Sequence, residues 1–129
     1  MNVIGRRLFN LKSSPRPQSI SVIIPCLNEG NYLRQTVESL GMCSARPNEI
    51  IVVDNGSTDG CSDFIETENY PGSIRLFKLP SPLGVAQARN FGAAQATGDI
   101  LIFVDAHVLF PQAWLPPVAN VLSTTLSFD

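Results

Sequence analysis

The chain has 129 residues, of which 44% are hydrophobic and 16% are charged, and its formal net charge is −2. These values predict a single globular domain with a sizeable hydrophobic core. The nearly neutral charge argues against a nucleic-acid-binding protein, which needs a basic surface. The three cysteines, Cys26, Cys43 and Cys61, show no metal-ligand spacing and are typical of reduced thiols in a cytoplasmic protein.

The first eighteen residues differ in composition from the rest of the chain. They contain four basic residues and no acidic residue, and end in the segment Ser13-Ser14-Pro15-Arg16-Pro17, which is typical of irregular structure. We therefore predict a flexible basic leader over residues 1–18 and one domain over residues 19–129. A peripheral contact of this leader with the inner face of a membrane is left open. No stretch in it is apolar enough for a signal peptide or a membrane span.

From residue 19 onward, apolar runs alternate with helical patterns. The runs predict four strands, at Ile20–Pro25, Glu49–Val53, Ile74–Leu79 and Asp99–Val104. The third strand alternates in polarity and is predicted to lie nearer an edge. This order of elements predicts an α/β fold with a mostly parallel sheet of about four strands and flanking helices.

Three helices are predicted between these strands. Leu33, Val37 and Leu40 lie at helical spacing between the first two strands. Asp59 is expected to cap a short second helix, and residues 85–96 are an Ala-rich third one.

Each predicted strand is followed by polar or Gly-rich residues. These segments are Asn28-Glu29-Gly30, Asp54-Asn55-Gly56-Ser57, Ser81-Pro82-Leu83-Gly84 and Asp105-Ala106-His107. Any one of them could be ordinary turn chemistry. Parallel sheets, however, bind ligands at the carboxyl ends of their strands, so four such segments at one edge predict a site.

The residue types at this edge are suited to a nucleotide and a metal ion, although the usual Gly-rich nucleotide motifs are absent. Asp105 offers a hard oxygen and His107 a neutral nitrogen, a mixture that suits Mn²⁺ or a similar divalent ion. Gly84 opens a helix whose free N–H groups can bind an anion, and Arg89 could hold a phosphate bidentately. Structural roles for Arg89, as a surface ion pair, and for Glu29, at a helix start, stay equally open.

Taken in order, these motifs resemble those of family-2 glycosyltransferases. The resemblance runs from Ser19 to Leu126, and its motifs are Ser21-Val22-Ile23-Ile24-Pro25 with Asn28-Glu29, then Ile51 through Gly60, then Gly84 with Ala88-Arg89-Asn90 and Gly92, then Thr97-Gly98-Asp99 leading to Asp105-Ala106-His107. It implies the Rossmann-like, nucleotide-binding half of a GT-A fold. It also implies inverting transfer of a sugar from a nucleotide-diphosphate donor, most often UDP-linked, with Mn²⁺ or Mg²⁺ as cofactor.

The resemblance also implies roles for individual residues. Pro25, Asn28 and Glu29 match the first nucleoside-contacting segment; Asp54 and Asn55 match the pair that reads base and ribose; Gly84 belongs to the donor site; Arg89 matches the basic residue near the diphosphate; Asp105 and His107 match the D-x-D metal motif.

This sequence departs from the family pattern in three ways. Asn55 and His107 each stand where an Asp is commoner, and Pro116-Pro117 interrupts a helix that usually follows the metal motif. We expect that helix to begin late or to kink, with Trp114 packing inward. Family members also continue well past Asp129, so the resemblance implies a C-terminally truncated domain, a catalytic base beyond residue 129 and an acceptor that this chain does not reveal.

Two other functions are compatible with the sequence. One is a non-catalytic nucleotide-sugar-binding module that is complete at Asp129. The other is a signalling domain in which Asp54 accepts a phosphoryl group, but the carboxylate cluster expected beside the first strand is absent, since only Glu29 lies there.

Overall fold

The structure, a computed structural model, describes residues 2–5, 19–70 and 73–114, with side chains described from residue 19 onward. Its described strands are β1 (Asn2–Gly5), β2 (Ile20–Cys26), β3 (Glu49–Asp54), β4 (Ile74–Lys78) and β5 (Ile100–Phe103). Its described helices are α1 (Tyr32–Gly41), α2 (Asp63–Thr67) and α3 (Val85–Gln95). Among these residues, no helix is long and apolar enough to cross a bilayer.

The strands form one sheet in the order β1-β5-β2-β3-β4. β2 pairs in parallel with both β3 and β5, and β3 pairs in parallel with β4. The predicted parallel sheet of four strands is therefore confirmed, and the alternating strand lies at an edge, as expected.

β1 is a fifth strand that the sequence did not predict. It pairs antiparallel with β5, with Asn2 opposite Phe103 and Gly5 opposite Ile100. The prediction of a flexible leader is therefore wrong for residues 2–5, because the outer side of β5 offers them backbone hydrogen-bond partners. The rest of the predicted leader lies outside the described residues.

The sheet is buried on both faces, which explains its uninterrupted apolar runs. On one face, Val22 and Ile24 of β2 join a cluster with Leu33, Val37 and Leu40 of α1. On the other face, residues such as Ile23, Ile51 and Ala88 form a second cluster beneath α3. Each large aliphatic side chain buried in this way contributes about 1.5–3 kcal/mol.

Two helix predictions have different outcomes. The spacing in α1 is confirmed, since its three apolar residues are all buried. The prediction that Asp59 caps α2 is wrong, because that helix begins at Asp63. The Asp59 carboxylate instead accepts hydrogen bonds from the N–H groups of Gly30 (2.9 Å) and Cys61 (2.9 Å). Trp114 is buried, as expected, whereas the helix predicted after it lies outside the described residues.

Gly92 sets the distance between α3 and the sheet. A Cβ atom at this position would lie 2.6 Å from Cγ2 of Ile23 and 3.0 Å from Cγ2 of Val53. Both neighbours are buried β-branched side chains with little freedom to move. The helix can therefore approach this closely only with glycine at that position.

We expect Gly92→Ala to lower the free energy of unfolding by about 1–2 kcal/mol, because overpacking outweighs the better helix propensity of alanine. Urea denaturation measures this change. Gly41→Ala is the matched control, since a Cβ there meets nothing within 4 Å. A loss of stability in the control as large as in Gly92→Ala would contradict the packing explanation.

Glu49 joins four segments at the amino ends of the strands, away from the predicted site. Its Oε2 accepts hydrogen bonds from Ser21 Oγ (2.6 Å), Thr97 N (2.6 Å) and Thr97 Oγ1 (3.0 Å). Its Oε1 lies 3.8 Å from Nε of Arg75. Burial alone would raise the pKa of Glu49, but these hydrogen bonds and the Arg75 charge together hold it below its ordinary value of 4.5.

Because the folded state lowers the pKa of Glu49, its stabilising effect is present above about pH 4.5 and lost as the pH falls further. We expect Glu49→Gln to lower the free energy of unfolding by about 2 kcal/mol near neutral pH. The difference in stability between wild type and variant should become smaller on acidification. Denaturation curves across that pH range measure it. Glu66→Gln, which removes an exposed partner of Lys78, should cost less than about 1 kcal/mol. A stability difference between wild type and Glu49→Gln that does not change with pH would show that the charge of Glu49 makes no contribution.

Candidate donor-binding site

The carboxyl ends of β2, β3 and β5 meet the start of α3 at a cleft of about 200 Å³. Six of the residues singled out from the sequence line this cleft: Pro25, Glu29, Asn55, Arg89, Asp105 and His107. The other three, Asn28, Asp54 and Gly84, do not belong to its lining. Parallel pairing thus brings together side chains that are widely separated along the chain.

Two pairs of basic and acidic side chains face each other in the cleft. Nη2 of Arg89 lies 3.6 Å from Oδ1 of Asp105, and Nδ1 of His107 lies 3.6 Å from Oε2 of Glu29. The Asp105 and His107 side chains are 54% and 57% exposed, respectively. At these distances and exposures the pairs are loose, so a ligand can replace either partner at little cost.

Asn28 supports the cleft from outside it. Its φ angle is +51°, in the left-handed region that asparagine tolerates. Its Oδ1 accepts hydrogen bonds from the N–H groups of Thr58 (2.8 Å) and Asp59 (3.2 Å), and its own N–H donates to Oγ of Ser57 (2.9 Å). Asn28 therefore fastens the loop after β2 to the loop after β3.

Asp54, the last residue of β3, is buried beneath the site rather than exposed in it. Its Oδ1 accepts a hydrogen bond from the N–H of Ser57 (2.9 Å), and its Oδ2 accepts one from Oγ of Ser62. Asp54 also lines a separate small cleft of about 120 Å³. These bonds give Asp54 a structural role in shaping the loop that follows β3.

Asn55 holds the segment that precedes α3. Its Nδ2 donates to the carbonyl oxygen of Leu83 (2.8 Å), while its Oδ1 accepts from the N–H of the same residue (2.7 Å). The side chain is only 4% exposed. An aspartate could accept from the Leu83 N–H but, when ionised, could not donate to its carbonyl. The asparagine that replaces the commoner Asp at this position therefore makes a hydrogen bond that an ionised aspartate could not make.

Gly84 is the N-cap residue of α3, with extended backbone angles of φ −62° and ψ 154°. A Cβ atom there would meet nothing within 4 Å. Its carbonyl oxygen accepts the first bond of the helix, from the N–H of Ala88 (3.0 Å). The start of α3 is thus open, and the hydrogen bonds of Asn55 to Leu83 fix its position.

Asp105 and His107 fit the requirements of a divalent ion that is shared with a ligand. They lie in one turn directly after β5 and line the same cleft. A carboxylate and an imidazole leave most coordination positions of Mn²⁺ or Mg²⁺ to other oxygens, which is the usual arrangement when phosphates complete the site. Because Nδ1 of His107 faces Glu29, Nε2 is the nitrogen left for an ion.

A second group of potential metal ligands lies below the cleft. Within the described residues, Cys26, Asp54 and Cys61 each offer a ligand atom within 4.8 Å of the other two, and all three are buried. Burial raises the pKa of the Cys26 thiol far above its ordinary value, and the neighbouring Cys61 and Asp54 raise it further. Burial likewise raises the pKa of Cys61. Sequence reasoning missed this group, because its members come from three separate segments.

The fold and its cleft define a Rossmann-like α/β domain with a binding edge at the carboxyl ends of its strands. The profile of the family described as Glycosyl transferase family 2 matches residues 21–126. The chain belongs to this family, which confirms the resemblance noted from its motifs.

Individual relatives agree with this assignment. The chain is 36% identical over 91 residues to glycosyltransferase GlyG of Streptococcus pneumoniae, covering 67% of this chain and 29% of that protein. It matches S. aureus TarS in complex with UDP-GlcNAc with a TM-score of 0.73, 26% identity and coverage of 82% and 31%. It matches the mannosyltransferase PcManGT of Pyrobaculum calidifontis, in complex with GDP-Man and Mn²⁺, with a TM-score of 0.71, 25% identity and coverage of 91% and 37%.

These likenesses confirm the predicted GT-A fold of Rossmann-like type. They also show that the chain spans only about a third, or less, of the length of these relatives, with 29% of GlyG and 37% of PcManGT covered.

We expect Asn55→Asp to lower stability by about 1–2 kcal/mol near neutral pH, because the Leu83 carbonyl loses its donor and faces a carboxylate. The loss should shrink in acid, since a protonated aspartate can again donate to that carbonyl. Urea denaturation at neutral and at acidic pH measures this change in stability. The matched control is Asn31→Asp at the start of α1, where the side chain makes no capping bond and a negative charge is favourable. Equal effects at the two positions would contradict the role given to Asn55.

Proposed function

We propose that the chain is the donor-binding half of a glycosyltransferase that moves a sugar from a nucleotide-diphosphate donor to an acceptor hydroxyl with the help of Mn²⁺ or Mg²⁺. The observation that carries this proposal is the convergence of Arg89, Asp105 and His107 on one cleft, in a chain of glycosyltransferase family 2. A UDP-linked donor is the first choice, supported by the UDP-GlcNAc complex of TarS. The Mn²⁺ in the PcManGT complex supports the metal.

Asp105 and His107 would hold the metal ion together with the donor diphosphate. When bound, such an ion acts as a Lewis acid that stabilises the negative charge of the leaving diphosphate. Glu29 faces Nδ1 of His107 and so orients the imidazole. Pro25 and Asn55 line the remainder of the cleft and are proposed to border the nucleoside, while Asn28 and Asp54 keep the surrounding loops in place.

Arg89 is the phosphate-binding residue of this proposal. In the structure, its guanidinium group faces Asp105 at 3.6 Å, and its side chain is 35% exposed. A diphosphate offers the same group oxygens of higher charge, with which arginine forms bidentate hydrogen bonds. The open start of α3 beside Gly84 adds N–H groups for the same anion.

The catalytic base and the acceptor site are proposed to lie beyond residue 129, so the chain alone would bind its donor without transferring the sugar. Both carboxylates of the described cleft, Glu29 and Asp105, lie 3.6 Å from a basic side chain, and the proposal assigns them to orienting His107 and to holding the metal ion rather than to deprotonating a hydroxyl. The same observation favours, as a second candidate, a non-catalytic nucleotide-sugar-binding module. A cytoplasmic location agrees with the reduced cysteines. Contact of residues 1–18 with a membrane stays a prediction.

We expect UDP to bind the full chain more tightly with Mn²⁺ than without it, by at least about tenfold. Asp105→Ala should abolish this difference, and His107→Ala should reduce it. Isothermal titration of UDP, with and without the metal, measures both effects. Asp63→Ala is the control, because this exposed carboxylate pairs with Lys78 outside the cleft.

Equal affinity with and without Mn²⁺ would overturn the metal assignment, and no binding of UDP or GDP in either condition would overturn the donor site itself. Slow release of free sugar from a UDP-sugar by the chain alone would favour the enzyme over the binding module.

A further inference from the structure

Two thiols and a carboxylate meet below the cleft, and the proposed function uses none of them as a ligand. Cys26 ends β2, Asp54 ends β3, and Cys61 lies in the turn before α2. Their Sγ and carboxylate oxygen atoms all lie within 4.8 Å of one another. The three residues are only 3%, 5% and 7% exposed, respectively. This group is therefore a built feature of the interior rather than a chance cluster on the surface.

The donor set determines which ions fit. Two sulfur atoms and one oxygen suit Zn²⁺ or Cd²⁺, and they do not suit Mg²⁺ or Mn²⁺, which prefer oxygen. Tetrahedral Zn²⁺ with Zn–S bonds of about 2.3 Å needs sulfur atoms roughly 3.8 Å apart, and the two sulfur atoms here lie within 4.8 Å of each other. The hydroxyl of Ser57, which lies 3.4 Å from Sγ of Cys61, or a water molecule can complete the fourth position.

Each member of this buried group also lines a pocket of the structure. Cys26 lines the cleft of about 200 Å³ described above. Cys61 lines a different pocket of about 330 Å³ between α1 and α2, and Asp54 lines the small cleft beside Lys78. Each of the three residues thus lines a pocket, and an entry path of this kind is one of the requirements of a functional metal site.

We infer that Cys26, Asp54 and Cys61 form a binding site for one thiophilic divalent ion, Zn²⁺ or Cd²⁺, separate from the Asp105 and His107 site. Binding breaks the two S–H bonds, forms two S–metal bonds and one bond from the Asp54 carboxylate oxygen to the metal, and releases both protons to solvent without any change of oxidation state. The ion joins the ends of β2 and β3 to the turn before α2. It therefore stabilises the folded chain, because the unfolded chain holds no such site.

Titration of the full chain with Cd²⁺ in a phosphine reductant tests this site, because thiolate-to-cadmium charge transfer gives an ultraviolet absorption band. We expect the band to saturate at one ion per chain in the wild type. Cys26→Ser and Cys61→Ser should each weaken the band and lower the affinity by at least about tenfold. Cys43→Ser is the matched control, since that buried thiol faces the carbonyl oxygen of Ser39 instead.

A second control separates this site from the proposed donor site. His107→Ala should leave the cadmium band unchanged, whereas it weakens the Mn²⁺-dependent binding of UDP. Either site can therefore fail without the other.

X-ray absorption of the zinc-loaded wild type gives a result that does not depend on any variant folding. Two sulfur neighbours at about 2.3 Å would support the site, as would a higher melting temperature with Zn²⁺ that Cys61→Ser lacks. The inference is overturned by the absence of a band at excess Cd²⁺, by fewer than two sulfur neighbours, or by loss of the band in Cys43→Ser.

Discussion

The parallel pairing of β2 with both β3 and β5 is the constraint on which the rest of the structure depends. It brings the carboxyl ends of three strands to one edge, with Cys26, Asp54 and Phe103 as their last residues. Two of the four polar segments directly follow β2 and β3 and a third follows β5, while the fourth, which follows β4, is joined to the end of β3 by the hydrogen bonds between Asn55 and Leu83. A shift of one residue in this register would turn the side chains at the strand ends to the opposite face of the sheet, so the buried aliphatic rows also fix the site geometry.

The loops at this edge are held by side chains rather than by regular secondary structure. Asn28 is hydrogen-bonded to the loop after β3, and Asn55 is hydrogen-bonded to the segment before α3 through both Nδ2 and Oδ1 of its side-chain amide. Asp54 and Asp59 satisfy further backbone N–H groups nearby. Such bonds leave the cleft open while keeping its walls in place, so that a ligand does not have to order them on binding.

The two networks at opposite ends of the sheet use the same chemistry for different purposes. Glu49 collects hydrogen bonds in the interior and stabilises the chain. Glu29 and Asp105, at the other end, lie at longer distances from their partners, and these pairs are more exposed. The amino ends of the strands thus contribute to stability alone, whereas the cleft end holds both stabilising hydrogen bonds and the loosely paired side chains of the candidate site.

The sequence predicted the elements with strong periodicity and missed those that depend on distant partners. The four parallel strands and α1 were predictable because burial on the sheet requires continuous or helically spaced apolar residues. β1 was not, since Asn2–Gly5 is too short to carry a pattern and its pairing depends on the free side of β5. The error at Asp59 has a similar origin, because an aspartate that caps a helix and one that bonds a neighbouring loop look alike in sequence.

The candidate site was predictable to the same limited degree. The motifs predicted that Arg89, Asp105 and His107 lie at one edge, and the three residues do line one cleft. This was predictable because strand ends in a parallel sheet meet at one edge. They could not show that the amide of Asn55 is bound to Leu83, which is distant in sequence. The group of Cys26, Asp54 and Cys61 was hidden for the same reason, since each member comes from a different loop or strand end.

The antiparallel strand β1 protects the edge of the sheet against aggregation. It occupies the side of β5 that would otherwise present unpaired N–H and C=O groups, and such edges recruit strands from other molecules and promote aggregation. Truncation at residue 19 would uncover that edge. Residues 2–5 should therefore be kept in any shortened version intended for solution studies.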